Sequence, residues 1–282
     1  MGSIDSAVRV FSGYLIVAVF LVATGAHALA EGSGFDGEIT PISEPVLLRY
    51  QPVASLLKTT SLTIEVPEPN PEVLRSFEKE SGSVLTSGDA LTWTLAGWRD
   101  LPDPDYSQAP SLTIEFTTDD RGVLQYYSLV EIDPVTGSTI REFEATTPDV
   151  LAQLASGYPL LPEEPVGQGH QLEPHAVFVE LLGQLAMLAG ASQLKLDNVD
   201  LPRSTAIGIG KVDGKPCVIF DLSGTIPVQI DGMAFDVAVM GYRAFDLKTG
   251  FILLSDLTLA AVAIDGSGIN FEFNAVTQVT LE

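Results

Sequence analysis

The sequence predicts a mainly β protein of the α+β class. Its core would be a long-stranded, strongly coiled antiparallel sheet or half-barrel, with a few short helices and one apolar helix at about 175–189. Three observations carry this. Apolar and polar residues alternate with period two at 61–66 and again along 269–281, as half-buried strands require. The pairs Asp213-Gly214, Asp231-Gly232 and Ser267-Gly268 are hairpin-type turns. Between turns, Met233 to Leu247 and Phe251 to Asp265 leave room for more than a dozen residues per strand, where about five or six is usual. Strands that long twist and coil, so the sheet wraps around its own side chains, a helix or a ligand.

The chain opens on a secretory signal. Arg9 precedes the apolar run Gly13–Ala23, and Ala28-Leu29-Ala30 supplies small residues for cleavage before the polar Glu31-Gly32-Ser33-Gly34. The run is short for a span of roughly 20 residues. Residues 1–30 therefore read as a signal peptide and 31–44 as a flexible new N-terminus. Residues 45–160 read as an N-terminal β-rich half, and 161–282 as a C-terminal half combining a helix with an antiparallel meander. The expectation is an exported protein, periplasmic or extracellular after cleavage following Ala30, with no membrane span in its mature form.

In the first half, Val46–Tyr50 reads as a strand. Ser61–Val66 is the next. Asn70-Pro71-Glu72 then carries helix-start chemistry, with Asn as cap and Pro in the first turn, and Gly82 closes that helix. Leu91–Leu95 returns to strand, and residues 100–110 form a proline-rich loop. Ser111–Phe116 nearly repeats residues 61–66. Asp119-Asp120-Arg121-Gly122 turns the chain into Val123–Val130. Thr147-Pro148-Asp149 caps a second short helix ending at Gly157, and Leu160–Gly167 is a connector.

In the second half, Pro174 opens the strongly apolar stretch from Ala176 to Ala189, stopped by Gly190. Its apolar residues cover most of a helix circumference, so it is either a core helix on the sheet or the wall of an apolar cavity. From Thr205 onward the chain is strand after strand. In the last strand Ile269, Phe271, Phe273, Ala275, Thr277, Val279 and Leu281 share one face, with polar residues dominating the other. One motif links the halves. Asp133-Pro134-Val135-Thr136-Gly137 is matched by Asp246-Leu247-Lys248-Thr249-Gly250. This is either a trace of two related halves or a recurrent hairpin turn, in which Asp accepts turn amides and Gly takes the left-handed conformation.

Composition bounds the chemistry. The net charge is −23, from 37 acidic against 14 basic residues, so phosphate backbones and anionic lipid surfaces are repelled and no nucleic-acid partner is expected. At 46% hydrophobic the chain can bury a sizeable core. Its one cysteine, Cys217, cannot form an internal disulfide and lies in the apolar run Cys217–Phe220, where it reads as a small buried hydrophobe.

Catalytic signatures are weak. His170 and His175 are five apart with Pro174 between them, the wrong spacing for a zinc pair on a helix. No Gly-x-Ser-x-Gly elbow occurs. Gly208-Ile209-Gly210-Lys211 has Thr205 and Val212 where a phosphate loop needs Gly and Ser or Thr. The carboxylate pairs Asp103/Asp105 and Asp119/Asp120 sit in turn-rich loops. The reading is non-catalytic, with no cofactor and no metal.

An exported, cysteine-poor chain with an apolar helix and a long-stranded meander resembles the periplasmic lipoprotein-carrier and mycobacterial lipid-carrier type of fold, in which a coiled sheet closed by helices holds acyl chains. With its halves split at Leu161–Val166 and each bearing Asp-x-x-Thr-Gly, it also resembles exported bacterial β-rich proteins of unknown function. The acidic charge and the lack of a lipidation cysteine depart from the lipid-anchored carriers, and no functional residue carries over. The resemblance implies a protein that binds an apolar ligand: an acyl chain, a lipid or a lipidated protein. The pocket would be lined by Val177, Phe178, Leu181, Leu185 and Leu188 from the helix, with Phe271 and Phe273 from the last strand. The rival readings are a structural or interaction protein of the cell envelope without a small-molecule ligand, and a hydrolase with an unrecognised site.

Overall fold

The computed structural model describes residues 35–36, 38–66, 72–101, 110–133, 136–151, 158–172, 194–195, 201–264 and 270–282. The N-terminal signal, the apolar stretch 175–189 and the Ser267-Gly268 turn lie outside the described residues. Within them the protein is a single antiparallel sheet with almost no helix. Six strands come from the first half: β1 (Val53–Val66), β2 (Glu72–Ser87), β3 (Ala90–Leu101), β4 (Leu112–Thr118), β5 (Leu124–Ile132) and β6 (Thr139–Ala145). After the four-residue helix α1 (Pro148–Leu151) come two short strands, β7 (Gln171–Leu172) and β8 (Leu194–Lys195). The long strands follow: β9 (Ser204–Val212), β10 (Lys215–Ile230), β11 (Met233–Asp246), β12 (Ile252–Ala263) and β13 (Asn270–Leu281).

The spatial order is β6-β5-β4-β3-β2-β1-β13-β12-β11-β10-β9-β7, with β8 pairing β10. Two meanders, β1–β6 and β9–β13, are thus fused where the first strand pairs the last, from Leu56 opposite Leu281 to Glu65 opposite Glu272. The sheet is open, and its two edges differ. The β9 edge is filled by β7 and by the chain near Thr40, which exchanges backbone hydrogen bonds with Ile209 while the Asp36 amide donates to the Lys211 carbonyl. The described residues of this stretch pack on the sheet: Phe35 meets Tyr242 at 4.4 Å between ring centroids, and Ile42 is buried. At the other end β6 pairs only β5 among the described strands and exposes Ile140 and Phe143 between Arg141, Glu142 and Glu144. Charges along an edge strand discourage like-with-like pairing.

The sheet curves strongly. Strands β4 and β12 are five positions apart, about 24 Å in a flat sheet. Yet the Tyr158 ring lies 6.3 Å from Phe116 on β4 and 6.2 Å from Phe251, the residue before β12. Only a sheet rolled towards a half-barrel brings both within reach of one ring.

Several expected elements differ. The helix predicted from Asn70-Pro71-Glu72 to Gly82 is strand β2, laddered to β1 on one side and β3 on the other. Cap chemistry is worth about 1 kcal/mol, and two flanking ladders with Val84 buried in the core outweigh it. Gly82 is not a cap. A Cβ there would fall 1.9 Å from the Thr94 carbonyl oxygen, so this glycine serves the close approach of β3. Val46–Tyr50 is an extended connection with one bridge, Val46 to Val166, rather than a strand, because its backbone groups bond to turns instead of a neighbouring strand. The second short helix is limited to Pro148–Leu151, and residues 152–157 lie outside the described residues.

The turn chemistry holds. Asp213 and Gly214, then Asp231 and Gly232, all have positive φ, as two-residue hairpins require. The two Asp-x-x-Thr-Gly turns share one hydrogen-bond pattern. The Gly137 amide donates to the Asp133 carbonyl and the Thr136 amide to its carboxylate, and Gly250 and Thr249 repeat both bonds to Asp246.

Candidate functional site

The pairing register sorts inward from outward residues, because directly opposed residues share a face. The concave face falls into three zones. The first lies where the β2–β3, β4–β5 and β11–β12 turns gather. Here Trp93 stacks on Phe116 at 5.0 Å, Tyr50 meets Trp93 and Phe251 edge-on at 5.2 Å each, and Tyr158 closes the group 4.7 Å from Trp93. Two connections cross this end. The Tyr50 amide donates to the Asp120 carbonyl, the Gln51 amide to the Thr249 carbonyl, and the Tyr50 hydroxyl to the Pro159 carbonyl at 2.8 Å. Arg49 reaches the Pro162 and Glu163 carbonyls and pairs with Asp120. Trp93 Nε1 donates to Thr118 Oγ1 at 3.0 Å. Aromatic packing with every polar handle satisfied makes this end a plug.

The opposite zone is built mostly by the C-terminal meander and is mainly aliphatic. Its inward side chains are Leu222, Ile226 and Val228 on β10, Phe235, Val237 and Val239 on β11, Leu257, Leu259 and Ala261 on β12, and Phe273 and Ala275 on β13, with Leu62 from β1. They form one continuous buried cluster, distinct from the aromatic one. Among the described residues, Leu201 packs against it and Pro202 approaches Gly224.

Between the two runs a polar belt. Strand pairing places Arg243, Ser255, Thr277, Thr60 and Glu78 in one row across β11, β12, β13, β1 and β2. Arg243 is 6% exposed, Ser255 and Thr60 are also buried, and the Thr60 and Thr277 hydroxyls lie 3.0 Å apart. Beside this row Lys58 pairs with Glu80 at 3.0 Å and sits over the Tyr158 ring. Burial lowers the Arg243 pKa to about 10, against a smaller opposing pull from Tyr50, and leaves it charged at neutral pH. Burial, reinforced by Glu80 and Tyr50, keeps the Tyr158 phenol neutral throughout the ordinary range.

Of the site residues expected from sequence, Phe273 is fully buried in the aliphatic zone. Phe271 stands opposite Ala261 by backbone register. Val177, Phe178, Leu181, Leu185 and Leu188 lie outside the described residues. The belt was missed, although a signal existed: Arg243 interrupts the run from Val237 to Phe245 in a chain with few basic residues.

The other candidates resolve into structure. Asp119 accepts the Arg121 and Val123 amides, and Asp120 pairs with Arg49. Gly208 and Gly210 lie within β9, where a Cβ on Gly208 would meet Ile39 at 2.4 Å. His170 uses its backbone to bond Gly167 and Ala206, while Asp103, Asp105 and His175 lie outside the described residues. Cys217 is buried on the convex side of β10 beside Ile219 and Ala244, and burial pushes its thiol up to about 12. No group of three or more candidate metal ligands occurs among the described residues.

No family model and no curated protein matches the chain. Among solved structures, it is similar at 11% identity to a DUF1329 family protein from Desulfovibrio piger, over 81% of this chain and 84% of that one, with a TM-score of 0.26. It is also similar at 10% identity to a LolA superfamily protein from Nitrosomonas europaea, over 82% and 86% of the two chains, with a TM-score of 0.18.

Proposed function

We propose that this is an exported, non-catalytic protein whose concave face binds an apolar ligand: an acyl chain, a lipid or a lipidated protein. The observation that carries the reading is the aliphatic zone itself. It is a continuous run of Leu, Val, Ile, Ala and Phe side chains on the inner face of a curved sheet, closed at one end by the aromatic plug. Ligand sites are concave and mostly apolar, with a few placed polar groups. The apolar stretch 175–189, with Val177, Phe178, Leu181, Leu185 and Leu188, is the second wall in this proposal, on the strength of its sequence alone.

The test is native mass spectrometry with solvent extraction of protein purified from its native compartment. An extra mass released as lipid is expected. A clean ligand-free mass, with no uptake when long-chain lipids are added, overturns the reading.

One observation favours a second reading, an envelope interaction module. The β6 edge is unpaired among the described strands and exposes Ile140 and Phe143. Strand addition there would bring in a partner through main-chain hydrogen bonds. Loss of a co-purifying protein on Ile140→Pro, with lipid content unchanged, would support it.

A further inference from the structure

We propose that Arg243 is an anion anchor for the ligand's head, and that the ligand class is a single-chain carboxylate amphiphile such as a long-chain fatty acid, bound head inward. This rests on the reading of the concave face as an apolar ligand site.

Arg243 projects from the inner face of β11 between Phe220 on β10 and Ser255 on β12. It is more than nine-tenths buried, and among the described residues no hydrogen bond or ion pair reaches its guanidinium. Its five N–H donors are fixed in a fork and never lose their charge at neutral pH. A charge set on an otherwise largely apolar inner face is costly unless a counter-charge or water meets it. A second group points the same way. Ser76 Oγ, one row further along the concave face, is buried with no hydrogen-bond partner among the described residues.

The neighbours narrow the chemistry. Ser255, Thr277 and Thr60 continue the row from Arg243 and offer hydroxyls, and the Glu78 carboxylate stands at its far end, four strands from Arg243. The nearby Lys58 is already neutralised by Glu80. One free cation flanked by hydroxyls matches a monoanion. A phosphate monoester carries up to two negative charges and would need a further cation.

The direction of the chain follows from what lies on either side. Towards the turns the aromatic plug blocks the way. Towards the other end the rows Gly241/Leu257/Ala275, Val239/Leu259/Phe273, Val237/Ala261 and Phe235/Ala263 succeed one another. From Arg243 to Phe235 is eight residues along β11, about 27 Å of strand, enough for a long acyl chain. A carboxylate on Arg243 with its chain laid along these rows uses both zones. The acyl chain of a lipidated protein brings no anion at its buried tip and would leave Arg243 unpaired.

The experiment compares palmitate, methyl palmitate and hexadecanol binding to the purified full-length mature protein by native mass spectrometry and calorimetry, in wild type, Arg243→Met and Arg243→Lys. Wild type is expected to prefer palmitate by about tenfold or more, the usual worth of a hydrogen bond to a charged group. Arg243→Met should bring the three ligands within about threefold through loss of palmitate affinity alone, and Arg243→Lys should keep part of the preference. Because Arg243→Met replaces a charge on a largely buried inner face with an apolar side chain of similar length, its ligand-free melting temperature should rise. Equal binding of all three ligands to wild type, or an Arg243→Met protein that melts lower and keeps the palmitate preference, overturns the anchor and leaves the apolar site standing. No binding of any ligand to wild type overturns both.

Discussion

The two ends of the concave face are built from the same sheet and are equally buried, yet they differ in kind. At the turn end Tyr50, Trp93, Phe116, Tyr158 and Phe251 contact one another through edge and stacked geometries, and two connections tie them to the turns. At the far end aliphatic side chains predominate beside Phe235 and Phe273, and small residues such as Ala261 and Ala275 recur. Directional packing with satisfied donors specifies one arrangement, whereas a smooth aliphatic wall accepts many. On the proposed reading, stability belongs to one end and binding to the other, with Arg243 at the junction.

The largest effect should come from breaking the plug. Trp93→Ala removes a fully buried indole stacked on Phe116 and its bond to Thr118, and should cost about 3–5 kcal/mol in chemical denaturation. Next comes a matched pair, Leu95→Ala and Leu259→Ala. Both leucines are 1% exposed, the first in the aromatic cluster and the second in the aliphatic one. In the ligand-free protein the first should lose about 3–4 kcal/mol and the second no more than about 2 kcal/mol, because cost depends on how tightly a site is filled. Equal losses would erase the distinction between the ends.

Smaller effects sharpen the picture at the turns and on the outer face. Asp246 is buried and bonded by Thr249, while the matching turn at Asp133 is more open, with exposed Thr136 and Gly137. Asp246→Ala should therefore cost about 1–2 kcal/mol and Asp133→Ala under about 1 kcal/mol, compared in the same denaturation series. Cys217, on the convex side, should resist alkylation at pH 8 in folded protein and react at once in denaturant. Its raised thiol pKa contributes stability that is complete below an unfolded pKa near 8.5 and lost as pH climbs towards about 12. Cys217→Ala should flatten that part of the alkaline unfolding profile slightly.

Much of the second half was legible because its signals are local and agree with one another. Asp-Gly turns demand positive φ, and the alternation in the last strand needs one wet and one dry face. The matched Asp-x-x-Thr-Gly loops also close with the bonds their residues invite. The first half was less so. Asn70-Pro71-Glu72 carries true helix-start chemistry, but β2 is decided by β1 and β3, whose pairing no local window contains. The fusion of β1 to β13, residues more than 200 apart in the chain, is likewise invisible to periodicity. The buried, inward placement of Phe273 was readable from alternation. The polar belt was not, because Arg243, Ser255, Thr277 and Thr60 lie on four strands and become a row only once the register is set.

The central claim, that the aliphatic end is a binding space and not a filled core, is tested most directly by Ala261→Phe. Ala261 is buried opposite Val237 in the middle of that zone. Melting and palmitate uptake by native mass spectrometry should be followed together. The account predicts a variant that melts within about 2 °C of wild type and no longer takes up the ligand. A variant destabilised by the 1–3 kcal/mol typical of overpacking, in roughly that range, beside a wild type that takes up no palmitate, would contradict it.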